Sequence, residues 1–265
     1  MTTVGLLVYV KVFEHRLIFF PDHEMAGTPA PPFEDVFFDA LDGTRLHGWW
    51  LSAPGAAGAL IVSHGNAGNI SHRAVAGDFL REELGINVFM YDYRGYGRSD
   101  GSPSEEGTYS DIRGAYSQVR SRGFKPESII LMGQSLGTAV TVDLAAAEKV
   151  GGVILEAPFT SVAGMARRFW WSLPVRSLLT TKYDSLSKIA SVKSPVVIVH
   201  ATGDSVIPHA LGRQLFEAAN APKQFFEVRA DLHEGATMGL GLEDLQRLKA
   251  FLDSFSVPPK AESLP

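Results

Sequence analysis

Ser128-Ile129-Ile130-Leu131-Met132-Gly133-Gln134-Ser135-Leu136-Gly137-Thr138-Ala139 is the stretch on which the reading of this chain turns, and it continues through Val140 to Ala147 without a break. A short β-branched apolar run ends in Gly-x-Ser-x-Gly and passes straight into small and apolar residues. That pattern predicts a strand, a tight turn and a helix, with Ser135 at the apex of a nucleophile elbow. Glycines two positions to either side are what such a turn needs, because the helix start must pack back on the strand where a Cβ would not fit. The strained turn exposes the serine Oγ.

The same pentapeptide pattern occurs a second time, at Gly97-Arg98-Ser99-Asp100-Gly101. Here the setting is a polar loop, several residues past the apolar run Val88 to Tyr91. The next helix begins only near Ser102, read as an N-cap, with Pro103 as first helical residue and Glu105 as capping-box partner. Ser99 is therefore read as a turn residue.

Outward from the elbow, the chain alternates short apolar runs with helical segments. Strands are expected at Ala59 to Ser63, Val88 to Tyr91, Ile129 to Met132, Val153 to Leu155, Val196 to His200 and Phe225 to Val228. Helices are expected over Ser71 to Leu84, Pro103 to Arg122, Leu136 to Ala147, Ala210 to Ala219 and Leu242 to Phe255. The closing helix sets Leu242, Leu245, Leu248, Leu252 and Phe255 on one face. Continuous apolar strands imply burial on both faces, hence an α/β chain with a mostly parallel sheet covered by helices on each side. Upstream, Asp35 to Ala40 and Leu46 to Leu51 flank Leu41-Asp42-Gly43-Thr44, a hairpin signal that adds an antiparallel edge and brings the sheet to eight strands.

With 265 residues, 45% hydrophobic and 20% charged, the chain is expected to form a single domain (1–265) with one substantial core. A formal net charge of −5 with scattered basic residues argues against nucleic acid as a partner. Cysteine is absent, which excludes disulfides, thiolate metal sites and a cysteine nucleophile. The run Val4 to Val10 is interrupted by Lys11, Glu14, His15 and Arg16, well short of the ~20 residues that cross a bilayer. A buried or surface-packed helix is the plain reading. Leu17-Ile18-Phe19-Phe20 extends the apolar character, so peripheral membrane contact stays open for an otherwise cytoplasmic protein. Residues 158–194 form a connection too long for a compact domain, the mark of a lid. It carries Phe169-Trp170-Trp171, whose rings either pack the insert onto the body or wall an apolar substrate pocket. Asp184 reads as a helix cap, and 257–265 as a loose tail.

Serine needs a base to take its proton, so one of eight histidines must come within reach. His233 follows the last strand and precedes the last helix, at the carboxyl edge where open α/β sheets hold ligands. His209 is a weaker rival. His64 reads as support for its loop and His200 lies inside a strand; His15, His23, His47 and His72 lack a strand-end setting. Asp204, just past Val196 to His200, is the carboxylate that would orient the imidazole; Asp231 more plausibly shapes its turn. For the developing oxyanion, the backbone N–H groups of Leu136 and of Asn66 are the expected donors. The loop His64 to Asn69 has no phosphate-loop lysine, and no metal or cofactor is called for.

Taken together, Gly-Gln-Ser-Leu-Gly, His64-Gly65-Asn66-Ala67-Gly68, Tyr91-Asp92-Tyr93-Arg94-Gly95-Tyr96-Gly97 and the Asp204/His233 pair resemble the α/β-hydrolase superfamily from about Phe33 to Phe255. Ser135, Asp204 and His233 follow that scaffold's chain order. Within it the chain is similar to the Bem46-like proteins and to the membrane-associated α/β-hydrolase-domain acyl-thioesterases. The resemblance implies serine esterase or thioesterase chemistry on a small ester or acyl thioester. It also implies a structural role for Tyr91 to Gly97, with Asp92 buried and bonded. Two departures stand out: the residues of this sequence show neither the long N-terminal anchor nor the cysteine-rich start that such relatives often carry, and Glu234 follows the histidine where Asn or Asp is common. Three functions follow as expectations: a carboxylesterase, a long-chain acyl-thioesterase or lysophospholipase at a membrane surface, and a non-catalytic interaction protein.

Overall fold

Eight short strands pair into one sheet: β1 (Phe33–Asp39), β2 (Arg45–Leu51), β3 (Ala59–Ser63), β4 (Asn87–Tyr91), β5 (Ile129–Gln134), β6 (Gly152–Glu156), β7 (Val196–Ala201) and β8 (Lys223–Val228). The computed structural model describes residues 14–27, 32–169 and 180–255, with the side chains of 166–169 outside that description. The run Val4 to Val10, the rings of Phe169, Trp170 and Trp171, the middle of the expected lid (170–179) and the tail 257–265 thus lie outside the described residues.

Across the sheet the order is β8-β7-β6-β5-β3-β4-β2-β1. Pairings from β4 through β8 are parallel, and β2 alone runs against both neighbours. The hairpin read from Leu41-Asp42-Gly43-Thr44 is therefore present, with Gly43 at φ 83°.

Alternate residues of each strand feed two separate cores, which is why the runs read as continuously apolar. On one face Leu60, Val62, Met90 and Met132 pack beneath α1 (Ala74–Leu84) and α7 (Leu242–Asp253). On the other, Ile61, Phe89, Leu131 and Leu155 pack beneath α2 (Glu105–Ser121), α3 (Leu136–Ala147) and, further along, α6 (His209–Ala218). Two further helices, α4 (Val162–Phe169) and α5 (Ser185–Lys188), lie in the 158–194 connection. Asp184 caps α5 by accepting the Ser187 N–H at 3.2 Å.

Two local expectations change. Helix α2 is capped by Ser104, whose Oγ accepts the Gly107 N–H at 3.0 Å, and not by Ser102. The Glu105 carboxylate instead accepts the N–H groups of Lys182 and Tyr183 together with the Tyr109 hydroxyl of its own helix. On α7 the docking stripe narrows to Leu245, Leu248 and Leu252, because Leu242, the first helical residue, is 71% exposed and Phe255, past the helix end, is 41% exposed.

What positions a site is the reversal of strand order at β3. The chain steps from β3 to β4 on one side, then crosses back to β5 on the other. Loops after β3 and β5 therefore leave in opposite directions and open a crevice at the carboxyl edge.

Candidate active site

Ser135 links β5 to α3 with φ 51° and ψ −115°, a left-handed backbone that a residue with a Cβ rarely adopts. The strain is held by its surroundings. The Ser135 N–H donates to the Glu156 carbonyl at 2.9 Å, and the Ser135 carbonyl accepts both the N–H and the hydroxyl of Thr138. The flanking glycines permit the turn: a Cβ on Gly133 would stand 2.4 Å from the Gly137 carbonyl oxygen, and one on Gly137 would stand 2.0 Å from that of Ser63.

Three pieces of chain meet at this point. His233 Nε2 lies 2.9 Å from Ser135 Oγ, and His233 Nδ1 lies 2.8 Å from Asp204 Oδ2. Asp204 sits on the loop after β7, where its other oxygen accepts the N–H groups of Val206 and Ile207, each at 2.8 Å. Burial alone would raise the Asp204 carboxyl. Hydrogen bonds from His200 and His233, with the Ile207 N–H, outweigh it and hold the group ionised, well below the usual carboxylate range. A carboxylate fixed on Nδ1 leaves Nε2 as the nitrogen that can accept a proton from Ser135. His209 is elsewhere: it opens α6 and pairs with Glu227 at 3.1 Å.

The loop after β3 packs against the elbow, since a Cβ on Gly65 would be 3.6 Å from Ser135 Cβ. Asn66 turns its side chain away to donate to the Ile18 carbonyl at 2.9 Å, and its own carbonyl accepts from the Phe20 N–H and the Tyr96 hydroxyl. Among the described residues its backbone N–H is the donor left over. Leu136 is the first residue of α3, so its N–H has no acceptor within the helix. Beneath the loop, burial followed by the charge of Arg73 pushes His64 down to about 3, which leaves a neutral ring bonded to the Gly65 carbonyl at 2.6 Å. Asp92 is buried and accepts the Ile70 N–H at 2.9 Å, and burial raises its carboxyl. Ser99 is buried too, bonded to the Asp92 carbonyl and the His47 N–H.

Sequence reasoning missed three residues here. His200 stands in β7 with Nε2 3.4 Å from Asp204, a second partner whose i,i+4 spacing was the available signal. Arg73 is 9% exposed and meets Glu234 at 3.0 Å, so the residue after His233 ties its loop to the loop after β3. Glu156 ends β6 and its side chain holds residues beyond His233. The last two contacts span 161 and 79 residues, and nothing local in the sequence announces them.

Comparison with known proteins agrees with this fold. Residues 54–187 match the family model described as serine aminopeptidase, S33. An uncharacterized protein of Mycobacterium tuberculosis is 34% identical over 259 residues, covering 96% of this chain and 92% of its own. Human alpha/beta hydrolase domain-containing protein 17B is 37% identical over 201 residues, 76% of this chain and 68% of its own. Among solved structures, an esterase of Pyrococcus furiosus superposes with a TM-score of 0.71 at 18% identity, covering 91% of this chain and 98% of that one.

Proposed function

We propose that this chain, which belongs to the α/β-hydrolase superfamily, is a serine hydrolase that cleaves carboxylic esters through an acyl-enzyme. The observation that carries the reading is the continuous line from Ser135 Oγ through both His233 nitrogens to Asp204, at 2.9 and 2.8 Å. Ser135 Oγ attacks the ester carbonyl carbon while His233 Nε2 takes its proton. The resulting oxyanion is held by the N–H groups of Leu136 and Asn66, and Asp204 stabilises the imidazolium. Collapse breaks the carbon–oxygen bond, and the departing alcohol leaves with the proton from Nε2. Water, deprotonated by His233, then attacks the acyl-enzyme and releases the acid and free Ser135.

Replacing Ser135 by Ala is expected to abolish hydrolysis of p-nitrophenyl esters while the circular dichroism spectrum and melting temperature stay those of the folded protein. Turnover at the wild-type rate would overturn the assignment. A fluorophosphonate probe that labels the wild type and not S135A would remove the alternative of a non-catalytic interaction protein.

A second reading, long-chain acyl thioesters or lysolipids taken from a membrane surface, is favoured by one feature. Leu17 and Phe20 are exposed, and Phe20 pairs with Ala67 directly beside Asn66. Apolar groups would thus border the mouth of the site. Among the described residues no helix is long and apolar enough to cross a membrane. A series of esters and thioesters of graded length separates the two, since a preference for acetyl or butyryl groups counts against the lipid substrate.

A further inference from the structure

Glu156 is a carboxylate where packing alone would ask for an apolar side chain. It is the last residue of β6, between Gln134 of β5 and Val199 of β7, and is 1% exposed. Burying an ionised group without partners is strongly unfavourable. Among the described residues its partners are not cations but N–H donors. Oε1 accepts the Gly235 N–H at 2.8 Å and the Gln134 side-chain amide at 3.3 Å, and Oε2 accepts the Thr237 N–H at 2.8 Å. Its main-chain carbonyl meanwhile accepts the Ser135 N–H at 2.9 Å.

One residue thus grips both halves of the reacting pair. Through its backbone it fixes the strained Ser135, and through its side chain it fixes the turn that begins two residues after His233. Gly235 adopts φ 80°, a left-handed conformation open to glycine. Another link holds the same loop, the Arg73–Glu234 pair, but Glu234 is 49% exposed and such pairs contribute little. Asp204 holds the ring but not the backbone that carries it.

We propose that Glu156 is a positioning residue: its buried carboxylate holds the 233–237 turn in register with the elbow, so that His233 Nε2 stays within hydrogen-bond reach of Ser135 Oγ. This rests on the reading of Ser135 and His233 as the reacting pair. In Glu156→Gln one carboxylate oxygen becomes an amide NH₂ that must face a backbone N–H, donor against donor. The turn shifts, and a misplacement near 1 Å costs up to ~100-fold in rate.

The test compares wild type and E156Q, well below the melting temperature of either, in three measurements. Fluorophosphonate labelling should still reach one group per chain, about 10- to 100-fold more slowly. On p-nitrophenyl acetate, kcat should fall by the same factor with KM within about twofold, because the attack geometry changes and the pocket does not. In proton NMR, the low-field resonance of the His233 Nδ1–H bonded to Asp204 should broaden or vanish. A residue that merely stabilises the fold would lower the melting temperature and leave all three unchanged per folded chain, and that result overturns the proposal. So does a rise in KM alone. Should E156Q fail to fold, Glu156→Asp retains the charge with one methylene less reach and is expected to show the same losses; labelling at the wild-type rate would refute it. A wild type inert to ester and probe alike would instead defeat the hydrolase reading, while the NMR comparison still decides whether Glu156 positions His233.

Discussion

Gly137→Ala tests the contact on which the elbow depends. The added Cβ would stand 2.0 Å from the Ser63 carbonyl oxygen and 2.7 Å from that of His64. Ordinary contact begins at about 3.4 Å, so a gap of more than 1 Å must open. Both obstructing atoms are backbone, at the end of β3 and the start of the loop carrying Asn66, so no side chain can rotate aside. Alanine gains about 1 kcal/mol over glycine in a helix, and overpacking typically costs 1–3 kcal/mol or more. With two backbone atoms in the way the cost lies at the upper end of that range, and the net expectation is a loss of about 2 kcal/mol, or several degrees in melting temperature for a chain of this size. The effect on rate should be larger. Separating α3 from β3 by about 1 Å moves the Leu136 N–H away from the Asn66 N–H, the two donors proposed to converge on one oxygen, and displacement on that scale costs about 100-fold. The assay is kcat/KM on p-nitrophenyl acetate beside a thermal melt, with Gly241→Ala as control because nothing lies within 4 Å of its added Cβ. Wild-type activity and melting temperature in G137A would refute the claim that close approach of α3 to β3 builds the site.

At Asn66 the side chain and the backbone can be separated: Asn66→Ala keeps the N–H and is expected to retain most activity, whereas Asn66→Pro removes it and should cost ~3 kcal/mol of barrier in steady-state kinetics. Equal damage from both would point to the side chain instead. His64 is neutral when folded, with its pKa pushed down to about 3, against about 6.5 unfolded. Its contribution to stability is therefore whole above pH 6.5 and is lost as pH falls from there toward 3. His64→Asn, which can still donate to the Gly65 carbonyl, should flatten the dependence of the urea midpoint on pH across that window; an unchanged slope would contradict this. On α7, Leu248→Ala should cost 2–5 kcal/mol in urea unfolding while the exposed Leu242→Ala stays within about 0.5 kcal/mol. Similar losses from the two would mean that the docking stripe is the wider one read from periodicity.

Much of this was legible in the residues. Ser135 was marked by Gly133 and Gly137, and its rival Ser99 was set aside by the polar loop around it. The strand pattern was readable because a parallel strand buried on both sides has no polar positions to confuse it. Asp204 and His233 were found by a rule about strand ends, and His200 was passed over by the same rule, since a strand interior gives no sign of which loop its ring will touch. The shift of the α2 cap from Ser102 to Ser104 is of another kind. Two serines bracket Pro103, and either could start the helix until Glu105 is drawn off to Lys182 and Tyr183.

Local chemistry by itself determined the turn at Ser135, the alternation of strand and helix, and which residue types could move a proton, because backbone strain, hydrophobic period and side-chain pKa are properties of short stretches. Only the folded chain decided who touches whom across the carboxyl edge: Glu156 on Gly235 and Thr237, Arg73 on Glu234, and the oxygen of Ser63 against Gly137. Those contacts join segments up to 161 residues apart, and they exist because strand order reverses at β3, a consequence of how the whole sheet packs rather than of any sequence beside them.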